Sequence, residues 1–173
     1  MLTATASQTI GPYWHLIEDP SWSDLTRFGA EGKKLVLTGT LYDGSGGIVT
    51  DAAIEIWQTG PAASDSFPAF GRCRTDATGS FRFTTLTPEP VAGPGNTQQA
   101  PHVAISIFAR GLLKALTTRL YFQDEPLNET DPVLSLIADE PRRRTLIARK
   151  VSDDTWQLDI RLQGDNETVF MEI

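Results

Sequence analysis

Apolar residues recur at every second position through much of this chain. Leu35, Leu37, Gly39 and Leu41 alternate with Lys34, Val36, Thr38 and Thr40, and a period of two marks a strand that buries one face. The run stops at Asp43-Gly44-Ser45-Gly46-Gly47, residues suited to a turn. Ile54 and Ile56 then alternate with Glu55 and Trp57, which predicts a strand whose charged face looks at solvent or at a partner. A short strand is expected around residues 72–75. Asp76-Ala77-Thr78-Gly79 supplies an Asp and a Gly for a tight reversal before Phe81 and Phe83, so a hairpin is predicted there. Val103, Ile105 and Ile107 alternate again, as do Trp156, Leu158, Ile160 and Leu162, and residues 118–122 form a further strand candidate.

Residues 86–101 break the pattern. Four prolines follow Thr87, with Gly93 and Gly95 among them, and proline donates nothing to a ladder, so a long loop is expected. Helix is scarce: Asp131-Pro132-Val133-Leu134 reads as one capped start, and Glu140-Pro141 before residues 142–150 as another. Seven or more short strands, turns rich in Gly and Pro, and one or two short helices predict an all-β fold. Its expected form is an antiparallel β-sandwich with long loops, in which two half-apolar sheets cover each other.

Composition narrows the possibilities. With 173 residues, 40% hydrophobic and 21% charged, the chain is expected to fold as one domain over 1–173, with 1–32 forming an amino-terminal arm and loop. Fifteen basic against 22 acidic residues leave a formal charge of -7, which disfavours nucleic acid and anionic lipid as partners. Arg142-Arg143-Arg144 lacks interleaved aromatics and is read as a solvated helix face or an inter-subunit salt bridge. Cys73 is the single cysteine, so an internal disulfide is excluded, and a buried apolar thiol is the expected state. Residues 1–8 lack a basic stretch leading into an apolar one, and no run approaches the roughly 18 apolar residues of a membrane span. A cytoplasmic location is expected.

Particular residues go further. Leu37-Thr38-Gly39-Thr40-Leu41-Tyr42-Asp43, Ile54-Glu55-Ile56-Trp57-Gln58 and Thr75-Asp76-Ala77-Thr78-Gly79-Ser80-Phe81-Arg82-Phe83 together resemble the shared core of the intradiol ring-cleavage dioxygenases. Ser7-Gln8-Thr9-Ile10-Gly11-Pro12-Tyr13, with Phe108-Ala109-Arg110-Gly111-Leu112-Leu113 and Thr118-Arg119-Leu120-Tyr121-Phe122, narrows the likeness to the alpha-type chains of its two-chain members. The likeness runs over nearly the whole chain.

The resemblance implies a ferric iron held by two tyrosines and a His-x-His pair, since residues two apart on a strand project to one face and tyrosinate is a hard donor for Fe(III). Here Ala104 and Ser106 stand where the histidines are expected. Pro90-Val91-Ala92 occupies the loop of one tyrosine, and residues 60–70 contain none. Only His15, His102, Tyr13, Tyr42 and Tyr121 exist elsewhere in the chain. The implied reading is therefore a chain with no metal ligands of its own. It pairs with a homologous beta chain that binds Fe(III), and the assembly cleaves protocatechuate with O2 between its hydroxylated carbons to 3-carboxy-cis,cis-muconate in the β-ketoadipate pathway. The arm is implied to line the partner's cleft. Thr9, Gly11, Pro12 and Tyr13 are then the substrate-side candidates, with Arg110 as a cationic fork for an aromatic carboxylate.

Two rivals stand beside this. A transthyretin-like or carbohydrate-binding sandwich has the same architecture but no need of the arm. A hydrolase built on Asp51 and Glu55, or on Asp124 and Glu125, lacks any Gly-x-Ser-x-Gly or His-Glu-x-x-His element.

Overall fold

The computed structural model describes residues 9–172; the first eight residues of the expected arm, and the localisation reading drawn from them, lie outside that range. The strands are β1 (Lys34–Tyr42), β2 (Ala53–Trp57), β3 (Phe70–Arg74), β4 (Ser80–Leu86), β5 (Val91–Ala92), β6 (Gln98–Gln99), β7 (His102–Phe108), β8 (Leu116–Phe122), β9 (Ile147–Lys150), β10 (Thr155–Gln157) and β11 (Ile160–Arg161). The period-two stretches become strands as expected. In β7 every second residue, Val103, Ile105 and Ile107, is buried. Leu35, Leu37 and Leu41 of β1 do the same beside Phe81 and Phe83 of β4. These side chains form one core with Ile54 and Ile56 of β2, and each fully buried large one contributes about 2–3 kcal/mol of transfer free energy.

Nine strands join in one mixed, nearly closed sheet, in the order β11-β1-β10-β9-β8-β7-β2-β3, with β4 on the other side of β1. The fold is mostly β with few helical residues, as predicted, but three ladders depart from an all-antiparallel sandwich: β1 with β10, β1 with β11, and β8 with β9 are parallel. The third of these involves residues 142–150. The expected helix there is only α1 (Glu140–Arg144), capped by Asp139, whose side chain accepts from Arg142 N–H at 3.3 Å. The chain then continues as β9, parallel to β8 on one side and antiparallel to β10 on the other. Through β9 the β1/β4/β10 group and the β2/β3/β7/β8 group become one surface.

The alternation from Trp156 to Leu162 reads as a single strand yet is broken into β10 and β11. At Gly39 the backbone of Leu158 presses against β1 so closely that an added Cβ would lie 1.9 Å from the Leu158 carbonyl oxygen and 2.6 Å from Phe81 Cζ. Leu158 N–H donates to Thr38 O at 2.9 Å, and Thr40 N–H donates not to a ladder carbonyl but to Asp159 Oδ1 at 3.0 Å. A side chain replaces the missing rung, and glycine makes the crossing possible.

The turn at Asp76 is tight, but the hairpin expected there is not a paired one. Asp76 Oδ1 accepts from the N–H groups of Thr78 (2.7 Å) and Ser80 (3.0 Å), and Gly79 takes φ +73°. Bonding to the Thr78 hydroxyl and the flanking amides holds the Asp76 carboxyl below its ordinary range. The strands it links then diverge, β3 onto β2 and β4 onto β1. The proline-rich loop stays outside the main sheet, as expected, though β5 and β6 pair within it. Gln58 anchors its start. Its amide donates to Gly60 O (3.1 Å) and Leu86 O (3.2 Å) and accepts from Thr85 Oγ1 (2.6 Å), so a buried polar group is satisfied throughout. Asp131, also buried, accepts from Ala100 N–H, Tyr121 Oη–H and the amides of Val133 and Leu134. The expected helix at that point is a single 3-10 turn, Leu134–Leu136.

Cys73 is buried on β3, as its sequence context indicates. Desolvation pushes its thiol up to about 12, and pushes the Tyr121 phenol up to about 12 as well. Both groups are neutral when folded. A raised value means that their contribution is intact below the ordinary 9.0 and 10.0 and is lost as pH climbs toward 12. Denaturant midpoints are therefore expected to be flat near neutrality and to fall steadily above about pH 9, with Cys73→Ala removing part of the slope. Rapid alkylation of Cys73 in the folded protein at pH 8 would contradict this burial. Gly39→Ala is expected to cost about 3 kcal/mol in chemical denaturation, and a loss below measurement error would show that Leu158 can move aside.

Candidate functional site

The arm meets the body where β2 begins and β7 ends. Ala53 opposes Phe108 in the antiparallel β2–β7 ladder. Continuing that register by two residues sets Asp51 opposite Arg110, and the two side chains form an ion pair between Arg110 Nε and Asp51 Oδ2. The arm crosses this corner. Thr9 Oγ1 donates to the carbonyl of Ala109 at 3.0 Å, and Trp14 Nε1 donates to the carbonyl of Asp51 at 3.2 Å. Short 3-10 turns at Trp14–Ile17 and Pro20–Ser23 follow, and Glu18 Oε1 accepts from Arg74 N–H at 3.0 Å. The chain is thereby tied to both β2 and β3 flanks of the sheet.

Of the five residues named from the sequence, Thr9 bonds to the carbonyl of Ala109, the residue before Arg110. Gly11, Pro12 and Tyr13 lie on the solvent side of the arm. Tyr13 is 72% exposed, and among the described residues nothing lies within 4 Å of where a Gly11 Cβ would sit. Leu16 and Ile17 are also strongly exposed. The Gly11-to-Ile17 stretch thus presents Tyr13, Leu16 and Ile17 as an exposed apolar surface among the described residues. Asp51 is the member that sequence reasoning missed, having been weighed only as an acid for hydrolysis. Its signal was the strand register, which periodicity alone does not supply.

The acidic pairs of the hydrolase reading do not act as pairs. Glu55 is engaged by Arg72 through Nε at 2.8 Å and through Nη2, while Asp51 is engaged by Arg110. Asp124 and Glu125 shape a turn, Asp124 at φ +61° and Glu125 accepting from Leu127 N–H at 3.1 Å. Arg142 donates to Glu167 O, Arg143 to Ile137 O, and Arg144 pairs with Glu140, so the three arginines have partners within the chain.

On β7 the outward residues are His102, Ala104, Ser106 and Phe108, half-buried, and the inward ones are Val103, Ile105 and Ile107. Ala104 sits across from Trp57 and Arg119, and Ser106 across from Glu55 and Thr117. In either register the two residues of an i, i+2 pair at 103–106 offer no imidazole. His102 hydrogen-bonds through Nδ1 to Ala100 O at 2.7 Å, with its ring centroid 5.5 Å from that of Tyr121. Burial lowers its pKa, so it is held neutral. Tyr121 donates to Asp131 and accepts from Arg119 Nη1 at 3.2 Å. Tyr42 lies under the Arg161 guanidinium, and His15 and Tyr13 are on the arm. Among the described residues no three His, Cys, Asp or Glu side chains converge as a metal would require. The donors present in this chain do not fit an iron bound by two tyrosines and two histidines.

Residues 17–164 match the family model described as Dioxygenase. The chain is similar to the protocatechuate 3,4-dioxygenase alpha chain of Pseudomonas putida, at 38% identity over 99% of this chain and 98% of that one. It is similar at 30% identity to the protocatechuate 3,4-dioxygenase beta chain of Burkholderia cepacia, over 79% of this chain and 67% of the other. Among solved structures, the dioxygenase domain of a dioxygenase and carbohydrate-binding protein fusion from Streptomyces sp. SirexAA-E superposes with a TM-score of 0.65. That likeness has 27% identity and covers 94% of this chain and all of that one.

Proposed function

Because this chain belongs to the intradiol dioxygenase family, whose members depend on non-haem iron, we propose that it is the alpha subunit of a protocatechuate 3,4-dioxygenase. In this reading a homologous beta subunit holds the Fe(III), and the pair cleaves protocatechuate with O2 between its hydroxylated carbons to 3-carboxy-cis,cis-muconate. The observation that carries it is the combination of near full-length similarity to an alpha chain with a β7 strand that has Ala104 and Ser106 at the expected ligand positions. Iron supplies Lewis-acid activation of the catechol when bound; this chain supplies surroundings.

Those surroundings follow from the arm corner. Tyr13 offers an exposed ring and phenol, Pro12 limits the backbone freedom of the turn before it, and Gly11 leaves the backbone open to a flat ring. The Thr9 hydroxyl spends its proton on Ala109 O, and its lone pairs remain to accept from a substrate hydroxyl or water. Arg110 is the cation for the substrate carboxylate, a role suited to a planar fork with several donors. The exposed Tyr13, Leu16 and Ile17 are the surface on which the beta subunit closes. A generic binding sandwich gives no account of this arm, and family membership sets that alternative aside. Residues 1–173 are treated as one domain. No helix among the described residues is long and apolar enough to cross a membrane, and a cytoplasmic enzyme is in keeping with that.

The chain purified alone is expected to be colourless, iron-poor and inactive; a stoichiometric ferric centre with a visible tyrosinate band would defeat the proposal. Coexpression with a beta chain is expected to give a coloured hetero-oligomer. In it Pro12→Ala or Tyr13→Ala lowers protocatechuate turnover while iron content stays at the parent level, and unchanged kinetics in both variants would remove the arm from the site.

A further inference from the structure

We infer that Asp51 is a positioning residue for the substrate carboxylate: its charge restrains the guanidinium of Arg110 at Nε and leaves both Nη groups to the substrate. The inference rests on the reading of Arg110 given above and extends it to a residue with no direct contact to substrate.

The geometry starts from the β2–β7 ladder. Asp51 and Arg110 lie just beyond its end, two residues past the Ala53–Phe108 rung, so neither has a strand partner to hold its side chain. They hold each other. The guanidinium has two useful edges, one formed by Nε with an Nη and one by the two Nη groups, and each can dock a carboxylate. The contact with Asp51 Oδ2 is made at Nε. That contact is an ion pair and not an aligned hydrogen bond, and neither Nη group has a partner among the described residues, so a second carboxylate has the Nη edge. Exposure agrees with this division: the Arg110 side chain is 64% exposed, and that of Asp51 only 27%. An unpaired, exposed arginine samples many rotamers, and fixing it before the substrate arrives removes part of that entropic cost from binding.

Asp51 also carries a charge that repels the incoming anion, and the two effects have opposite signs. Positioning and repulsion both act through the charge, so the sign of the effect on binding tells which one dominates. Asp51→Asn removes the charge and keeps the side chain's size; Asp51→Ala removes both. Neither alters the Asp51 carbonyl that receives Trp14 Nε1, so the arm stays docked in both variants.

The test uses the coexpressed alpha–beta holoenzyme with protocatechuate and with catechol, which lacks the carboxylate. Asp51→Ala is expected to raise KM for protocatechuate about three- to fivefold, the range of one partly exposed ion pair, with kcat within about twofold and catechol kinetics unchanged. Asp51→Asn is expected to raise KM in the same direction, because the restraint on Arg110 is one of charge. Arg110→Ala is expected to raise KM for protocatechuate about tenfold or more without affecting catechol. Should Asp51→Ala fail to assemble, Asp51→Ser shortens the side chain with the same expectation. If Arg110→Ala discriminates between the substrates but Asp51→Ala does not, or lowers KM for protocatechuate, the positioning role is overturned and Arg110 keeps its own. If Arg110→Ala fails to discriminate, the carboxylate reading of Arg110 falls, and the role of Asp51 falls with it.

Discussion

The register between β2 and β7 is the constraint on which most of this molecule turns. Pairing Ala53 with Phe108 sends Ile54, Ile56, Val103, Ile105 and Ile107 inward to meet Leu35, Leu37 and Phe83, and it sends Glu55, Trp57, Ala104 and Ser106 outward. A slip of one residue would exchange the two faces, exposing isoleucines and burying a glutamate, so the register is held by the whole core. The same pairing decides what happens at the strand ends. It places Asp51 against Arg110 and puts the carbonyls of Asp51 and Ala109 within reach of Trp14 and Thr9. Core packing and the construction of the candidate site are thus two results of one ladder.

Much of the fold was legible because a buried strand face writes itself as a period of two. β1, β2, β4 and β7 could be located that way. The failures have particular causes. β9 follows an arginine-rich turn of helix in a stretch with no alternation, and only its contacts with β8 and β10 make it a strand. The split between β10 and β11 is invisible because Trp156, Leu158, Ile160 and Leu162 alternate straight through it. What breaks the strand is a glycine more than a hundred residues earlier. The turn at Asp76 was correctly identified by its chemistry, but turn residues specify a reversal and not which strands the two arms will join.

The site was legible to a different degree. Residue types marked Thr9, Gly11, Pro12, Tyr13 and Arg110 only through resemblance to a family, and their substrate role is still a proposal. Asp51 could not be ranked above the other acids, because its importance comes from standing across from an arginine 59 positions away. The charged residues that looked like rival chemistry are mostly spoken for. Glu55 pairs with Arg72, Arg142 with Glu167, and Arg144 with Glu140. A polar side chain in a sequence is an offer of chemistry; its partners decide whether the offer remains open.

Two of the arm's anchors are main-chain carbonyls. Thr9 and Trp14 reach the oxygens of Ala109 and Asp51, atoms that every amino acid possesses. Replacement of either body residue leaves the docking points in place as long as the strand path is kept. The side chain at 51 can therefore change, and the local charge with it, without loosening the arm. Arm placement and local electrostatics behave as separately heritable traits, although they meet at a single residue.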